Sequence, residues 1–103
     1  MYDVIIIGRG PAGISCSIYT SRAGLKTLVV GKDDSALKKA EKIQNYYGFS
    51  NPISGEFLLE EGEKQARAVG VEIMEDEVID IENEDFFTIT ASGGKYAGKA
   101  LLL

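Results

Sequence analysis

Two short apolar runs separated by a helical pattern fill the first 31 residues of the chain. Residues 2–7 are mostly apolar and β-branched and are followed at once by a glycine, which predicts a buried strand. A helix is predicted over residues 11–23, ending at Gly24, and a second buried strand over residues 25–30, ending at Gly31. Strand, helix and strand in this order form a right-handed crossover, so the two strands are expected to be parallel neighbours.

A second helix is predicted after a less regular segment, residues 31–55, which combines loop, aromatic and turn signals with one helical turn over residues 36–42. Ser54 has the side chain of an N-terminal cap, and Gly70 is expected to end the helix. Its inward face is expected to carry small or apolar residues, namely Leu58, Gly62, Ala66 and Val69.

From Val71 onward the apolar residues follow a period of two, which predicts four further strands. They cover residues 71–74, 78–81, 86–91 and 96–103, with a hairpin turn at residues 92–95. The last strand ends in three leucines, and we expect it to lie centrally, parallel to the strand at residues 2–7. A chain ending in a buried strand is expected to be the N-terminal part of a longer protein; a short complete gene product is the alternative.

The composition favours one soluble globular domain, because 103 residues, 45% of them hydrophobic, leave no room for a second core. No apolar run approaches the roughly 20 residues of a membrane span, and no basic leader precedes the first strand, so no membrane association is expected. The sequence contains a single cysteine, Cys16, and no histidine. This usage indicates a cytoplasmic protein without an internal disulfide or a metal site.

The net charge of −5 is unevenly distributed along the chain. Residues 1–55 carry seven Lys or Arg and four Asp or Glu, whereas residues 56–103 carry four and twelve, so the two parts have net charges of +3 and −8. Nucleic-acid binding is not expected from so acidic a chain. An anionic ligand is expected to bind the first part, and the acidic residues 72–85 are interpreted as a solvated face.

The pattern Gly8-x-Gly10-x-x-Gly13 is the dinucleotide-binding fingerprint, here between a predicted strand and a predicted helix. Gly8 permits the sharp turn, Gly10 lets the backbone approach a pyrophosphate, and Gly13 allows close packing of helix and strand. The alternative is a purely structural turn. The acidic residue that usually binds the ribose after the second strand is replaced by Gly31, followed by Lys32.

This glycine turn, Gly8-Arg9-Gly10-Pro11-Ala12-Gly13, together with the element Gln44-Asn45-Tyr46-Tyr47-Gly48-Phe49, resembles the N-terminal part of the thioredoxin-reductase family. The resemblance covers the whole chain, but only about the first third of a family member. It implies an incomplete α/β Rossmann-like FAD-binding domain, with a parallel sheet and a β-meander, over residues 1–103. It also implies an oxidoreductase that passes electrons from NADPH through FAD to the disulfide of a thioredoxin-like protein, and a homodimer; ferredoxin is an alternative donor.

By this resemblance ten residues contact FAD. Gly8, Gly10, Pro11 and Ala12 would lie along the pyrophosphate beside Gly13. The adenosine would be bordered by Gly31, Lys32 and the backbone of Val78, and the isoalloxazine and ribityl groups by Leu37 and Asn45. Ser35 replaces a family glycine, which leaves the path of the loop around it open.

No catalytic residue is expected within this chain, because the family's redox-active C-x-x-C is absent from it. Cys16 is expected to be a small core residue on the buried helix face shared by Ile14, Ile18 and Tyr19. Two other functions stay open. The chain could be a nucleotide-binding module without redox activity, or an interaction protein that uses its acidic residues 72–85.

Overall fold

The computed structural model describes residues 1–32 and 55–103, with side chains in the second helix described from Phe57 onward. These residues form two helices and one six-stranded sheet in the order β3-β2-β1-β6-β5-β4. The predicted helical turn over residues 36–42 and the Ser54 cap lie outside the described residues. The elements are β1 (Tyr2–Ile7), α1 (Pro11–Arg22), β2 (Thr27–Gly31), α2 (Gly55–Ala68), β3 (Glu72–Glu75), β4 (Val78–Asn83), β5 (Phe87–Ala91) and β6 (Gly94–Leu102).

Four neighbouring strands form the parallel part of the sheet. β1 pairs in parallel with β2 on one side and with β6 on the other, and β2 pairs with β3. In this register Ile5 lies between Leu28 and Leu101. The predicted crossover and the central position of the leucine-rich last strand are both confirmed.

The strand β6 joins two kinds of pairing. Its first half pairs with β5 in an antiparallel meander with β4, and its second half pairs in parallel with β1. Gly98 lies at the junction, opposite both Phe87 and Tyr2. The hairpin turn predicted over residues 92–95 is present but shorter, because Ser92-Gly93 connect the registered pair Ala91 and Gly94, and Gly94 and Lys95 already belong to β6.

Alternate residues of the parallel strands enter two separate cores. Both faces of such strands are covered, which explains why β1 and β2 read as continuous apolar runs. On the helical side the buried cluster is Val4, Ile6, Val29, Ile14, Leu59, Ala66 and Val71. On the other side Ile89 of β5 packs with Ile5, Leu28 and Val30, all of them fully buried. Full burial of each such aliphatic side chain contributes roughly 1.5–3 kcal/mol before entropy is counted.

The buried faces of the helices differ from the prediction at particular residues. Tyr19 is 74% exposed, so its assignment to the core was wrong. At about 100° per residue it lies roughly 140° from the buried Ile14, whereas Ser17 lies on the sheet side and is fully buried. The Ser17 hydroxyl donates to the Ile14 carbonyl at 2.6 Å, which satisfies it without a larger side chain.

In α2 the predicted inward stripe is confirmed at Ala66 and differs at Leu58, where the neighbouring Leu59 is buried instead. Leu59 and Ala66 are buried, while Leu58 is only half-buried. β2 begins at Thr27, and the predicted strand residue Leu25 is 40% exposed. Neither helix in the described ranges is long and apolar enough to cross a membrane.

Candidate functional site

The glycine turn lies at the carboxyl edge of β1, immediately before α1. Gly8 has φ of +123°, a backbone conformation that residues with a Cβ rarely adopt. Its N–H donates to the Val30 carbonyl at 2.8 Å, which fixes the start of the turn to the end of β2. The predicted need for glycine at this position is confirmed by the geometry.

Two further glycines permit a close approach between elements. A Cβ on Gly13 would clash with the Gly8 carbonyl oxygen, so only glycine lets α1 lie this close to the turn. A Cβ on Gly31 would lie 2.9 Å from the Arg9 nitrogen, so no side chain fits at the end of β2. The turn, the helix and the second strand are therefore packed backbone against backbone.

The first turn of α1 is open to an anion. Gly10 occupies the N-cap position with φ −75° and ψ 177°, and no side chain caps the helix. Pro11 sits in the first turn, which contains no acidic residue. The N-terminus of a helix carries about half a positive charge and unpaired N–H donors. These donors suit a diphosphate, and no carboxylate within this first turn competes with it.

Two clefts flank the turn and collect most of the predicted site residues. The first, of about 360 Å³, is lined by Gly8, Gly10, Gly31, Lys32 and Val78 from that prediction. The second, of about 340 Å³, is lined by Ala12, Gly13 and Cys16 and again by Gly8 and Gly10. Pro11 lines neither cleft and is exposed. Leu37 and Asn45 lie outside the described residues.

Sequence reasoning missed a buried ion pair beneath the turn. The Arg9 guanidinium Nη2 donates to both carboxylate oxygens of Glu63, at 2.8 and 3.2 Å, and both side chains are about one-tenth exposed. Glu75 of β3 lies 3.6 Å from the same guanidinium. The pair attaches the turn to α2. The sequence contained one indication of this pair. Glu63 lies four residues after Leu59 and three before Ala66, which places a charged residue on the buried face of α2.

A second missed feature is the two-residue corner between β3 and β4. The Asp76 N–H donates to the Gly31 carbonyl at 3.1 Å. The Asp76 carboxylate accepts the N–H groups of Glu77, at 2.8 Å, and of Gly93, at 3.0 Å. Glu77 forms an ion pair with Lys32 at 3.1 Å. The stretch interpreted as a solvated face therefore contributes two acidic residues to the first cleft, next to Val78.

A glycine turn joining a parallel strand to an open helix terminus, with clefts at the carboxyl edge of the sheet, defines the class of dinucleotide-binding α/β proteins. Residues 2–103 match the sequence profile of the pyridine nucleotide-disulphide oxidoreductases. The chain therefore belongs to the pyridine nucleotide-disulphide oxidoreductase family, and the relatives that it resembles are thioredoxin reductases.

Three relatives illustrate this similarity. A thioredoxin reductase of Aquifex aeolicus (strain VF5) is 42% identical over 107 residues, covering 100% of this chain and 33% of the relative. The solved thioredoxin reductase of Gloeobacter violaceus matches with a TM-score of 0.92 and 36% identity, over 97% of this chain and 33% of its own. The solved atypical thioredoxin reductase of Desulfovibrio vulgaris Hildenborough matches with a TM-score of 0.89 and 36% identity. The match covers 98% of this chain and 34% of that relative.

The chain spans about a third of the length of the curated relatives that it matches. The similarity covers this chain almost end to end, so it confirms the Rossmann-like fold class and the resemblance inferred from the sequence.

Proposed function

We propose that this chain binds FAD in a thioredoxin-reductase-like oxidoreductase. The observation that carries the proposal is the uncapped, acid-free N-terminus of α1 beside a turn whose Gly8 and Gly10 line both clefts. Family membership supports a flavin rather than another dinucleotide, because the solved relatives of the same fold are thioredoxin reductases.

In this proposal the pyrophosphate lies along Gly8, Gly10, Pro11, Ala12 and Gly13, and the adenosine enters the first cleft. The adenosine ribose lies over Gly31 and Lys32, and the backbone of Val78 faces the adenine. The isoalloxazine and ribityl groups extend toward Leu37 and Asn45. These contacts are inferred from the family resemblance together with the lining of the two clefts.

FAD, when bound, supplies a two-electron carrier between NADPH and the disulfide of a thioredoxin-like protein. The chain's own residues bind and orient it. The backbone amides at the start of α1 would neutralise diphosphate charge, and the buried Arg9–Glu63 pair would keep the turn in its binding conformation. The proposal includes a homodimer, as the resemblance implies, and a cytoplasmic location, as the single cysteine indicates.

The redox step needs a dithiol that these residues do not supply, because Cys16 is the only cysteine of the sequence. Cys16 is half-buried and packs beside the helical core, so we propose a packing role for it.

The proposal is tested by replacing Gly10 with valine. Gly10 has an ordinary φ of −75°, so the backbone does not require glycine there. A valine side chain would instead occupy the space proposed for the phosphates. We expect the full-length protein to bind FAD, and Gly10→Val in the full-length protein to lower the affinity at least tenfold with its helical circular dichroism retained; residues 1–103 alone are expected to bind FAD weakly or not at all. Flavin fluorescence quenching gives the affinity.

Ser15→Val is the matched control, because Ser15 is exposed on the same helix and lines neither cleft. It should bind FAD like the unmodified protein. A Gly10→Val protein with unchanged affinity would contradict the assigned role of the turn. A folded full-length protein that binds no FAD would contradict the function itself.

A further inference from the structure

The end of β2 is closed to the acidic residue that dinucleotide-binding proteins of this class commonly place there. That residue binds the hydroxyls of the adenosine ribose. Here Gly31 occupies the position, and a Cβ on it would lie 2.9 Å from the Arg9 nitrogen and 3.2 Å from the Gly8 Cα. The glycine turn itself therefore excludes a side chain at this position, so a ribose carboxylate cannot be placed at residue 31.

The corner between β3 and β4 brings a carboxylate to the same cleft. Glu77 lines the cleft together with Gly31 and Lys32. The corner is fixed on two sides, because the Asp76 N–H donates to the Gly31 carbonyl at 3.1 Å and the Ser92 N–H donates to the Glu77 carbonyl at 3.1 Å. The backbone that carries Glu77 is thus hydrogen-bonded directly to the end of β2.

The two acidic residues of the corner, Asp76 and Glu77, make different contacts. The Asp76 carboxylate already accepts the backbone N–H groups of Glu77 and Gly93, so it stabilises the corner. Glu77 makes one ion pair, between its Oε2 and the Lys32 Nζ at 3.1 Å, and its side chain is 56% exposed. Lys32 holds this carboxylate beside Gly31 while leaving it open to the cleft.

We propose that Glu77 binds the hydroxyls of the adenosine ribose, in place of the missing acid at the end of β2. This inference rests on the proposed function, since it assigns a residue to the adenosine half of the same dinucleotide. A carboxylate accepts hydrogen bonds from both ribose hydroxyls. The same negative charge opposes a 2′-phosphate, and Lys32 cannot offset that repulsion while it is paired with Glu77. The cleft is therefore specific for an adenosine without a 2′-phosphate.

Three soluble probes separate these contributions: ADP, 2′-deoxy-ADP, and ADP that carries a 2′-phosphate. Affinities are measured by NMR titration of the purified protein, following the amides of Gly8, Gly10 and Gly31. We expect ADP to bind roughly tenfold more tightly than 2′-deoxy-ADP, the order of a charge-assisted hydrogen bond. The 2′-phosphorylated probe should bind more weakly than ADP.

Glu77→Ala should remove the preference for ADP over 2′-deoxy-ADP. It should weaken the binding of ADP more than that of 2′-deoxy-ADP, because ADP loses the contacts of both ribose hydroxyls and 2′-deoxy-ADP loses only that of its 3′ hydroxyl. The variant should also gain affinity for the 2′-phosphorylated probe, because Lys32 is released to pair with the phosphate. Glu82→Ala is the matched control, since Glu82 is an exposed acid of β4 that does not line the cleft. It should keep all three affinities.

The NMR titration separates a wrong assignment of Glu77 from a wrong proposed function. If ADP shifts the turn amides but Glu77→Ala changes no ratio between probes, Glu77 does not bind the ribose and the proposed function stands. If no probe shifts the turn amides of the folded protein, the proposed function itself is overturned.

Discussion

At the scale of single residues, the buried ion pair beneath the turn is the most consequential contact in the structure. Arg9 and Glu63 are 54 positions apart in the chain and meet with side chains only about one-tenth exposed. Removing one member of a buried pair leaves the other charge without compensation, which costs more than the pair itself contributes. Here Glu63→Ala would remove the two short bonds to the Arg9 guanidinium, inside the proposed binding turn, while the more exposed Glu75 carboxylate stays 3.6 Å away.

We therefore predict that Glu63→Ala lowers the free energy of unfolding by about 3 kcal/mol, measured by urea denaturation. Glu61→Ala is the control on the same helix. Glu61 pairs with Lys64 at 3.5 Å near the surface, and such a pair contributes less than about 1 kcal/mol. Equal losses in the two variants would show that the pair with Arg9 contributes no more than a surface contact.

At the scale of elements, the sequence predicted each described strand and helix, because their periods are clear. β1 and β2 are apolar at nearly every position, and the glycine turn is recognisable from spacing alone. The buried stripe of each helix was predicted less well. An apolar stripe is about 100° wide, so the pattern alone did not decide between neighbours such as Leu58 and Leu59.

Contacts between elements that are distant in the chain were the hardest feature to predict from the sequence. Sequence spacing contains no information on which residue of α2 faces the turn, so the partner of Arg9 was not predicted. The corner of Asp76 and Glu77 was hidden for a related reason. The sequence of a charged stretch is the same whether one of its acidic residues faces solvent or lines a cleft, so the sequence does not distinguish the two cases.

The element β6 gives a prediction of its own through Gly98. This glycine is buried between β1 and β5, and a Cβ would lie 2.8 and 2.9 Å from two carbons of Ile5, which is fully buried. We expect Gly98→Ala to lower the free energy of unfolding by about 1–3 kcal/mol, because the core around Ile5 must move.

The control for Gly98 is Ala100→Val, which adds bulk to an exposed position of the same strand. Its urea midpoint should change little. A Gly98→Ala protein as stable as the unmodified one would show that the sheet accommodates a side chain at the junction.

At the scale of the whole molecule, apolar side chains stay exposed beside the second cleft. Leu102 is 43% exposed and Leu103 is 90% exposed, at the carboxyl edge of the sheet. Exposed apolar patches favour association. We therefore predict concentration-dependent self-association in sedimentation velocity, and a shift toward the single-chain mass in Leu103→Asp.

Leu25→Asp serves as the control for this prediction, because Leu25 is 40% exposed just before the start of β2, at the opposite edge of the sheet. It should associate like the unmodified protein. A single-chain mass for the unmodified protein at all concentrations would contradict the predicted association through these leucines.

The double pairing of β6 also determines the order in which the molecule assembles. β4, β5 and β6 pair with their neighbours in sequence, whereas Tyr2 pairs with Gly98. Closing so long a loop costs more entropy than forming a hairpin, so we expect the meander and the first crossover to form as separate local units. During synthesis β1 then keeps an unpaired edge until β6 has left the ribosome, which is the interval of greatest exposure to misfolding. Pulsed hydrogen exchange during refolding would record this order as late protection of the β1 amides that pair with β6.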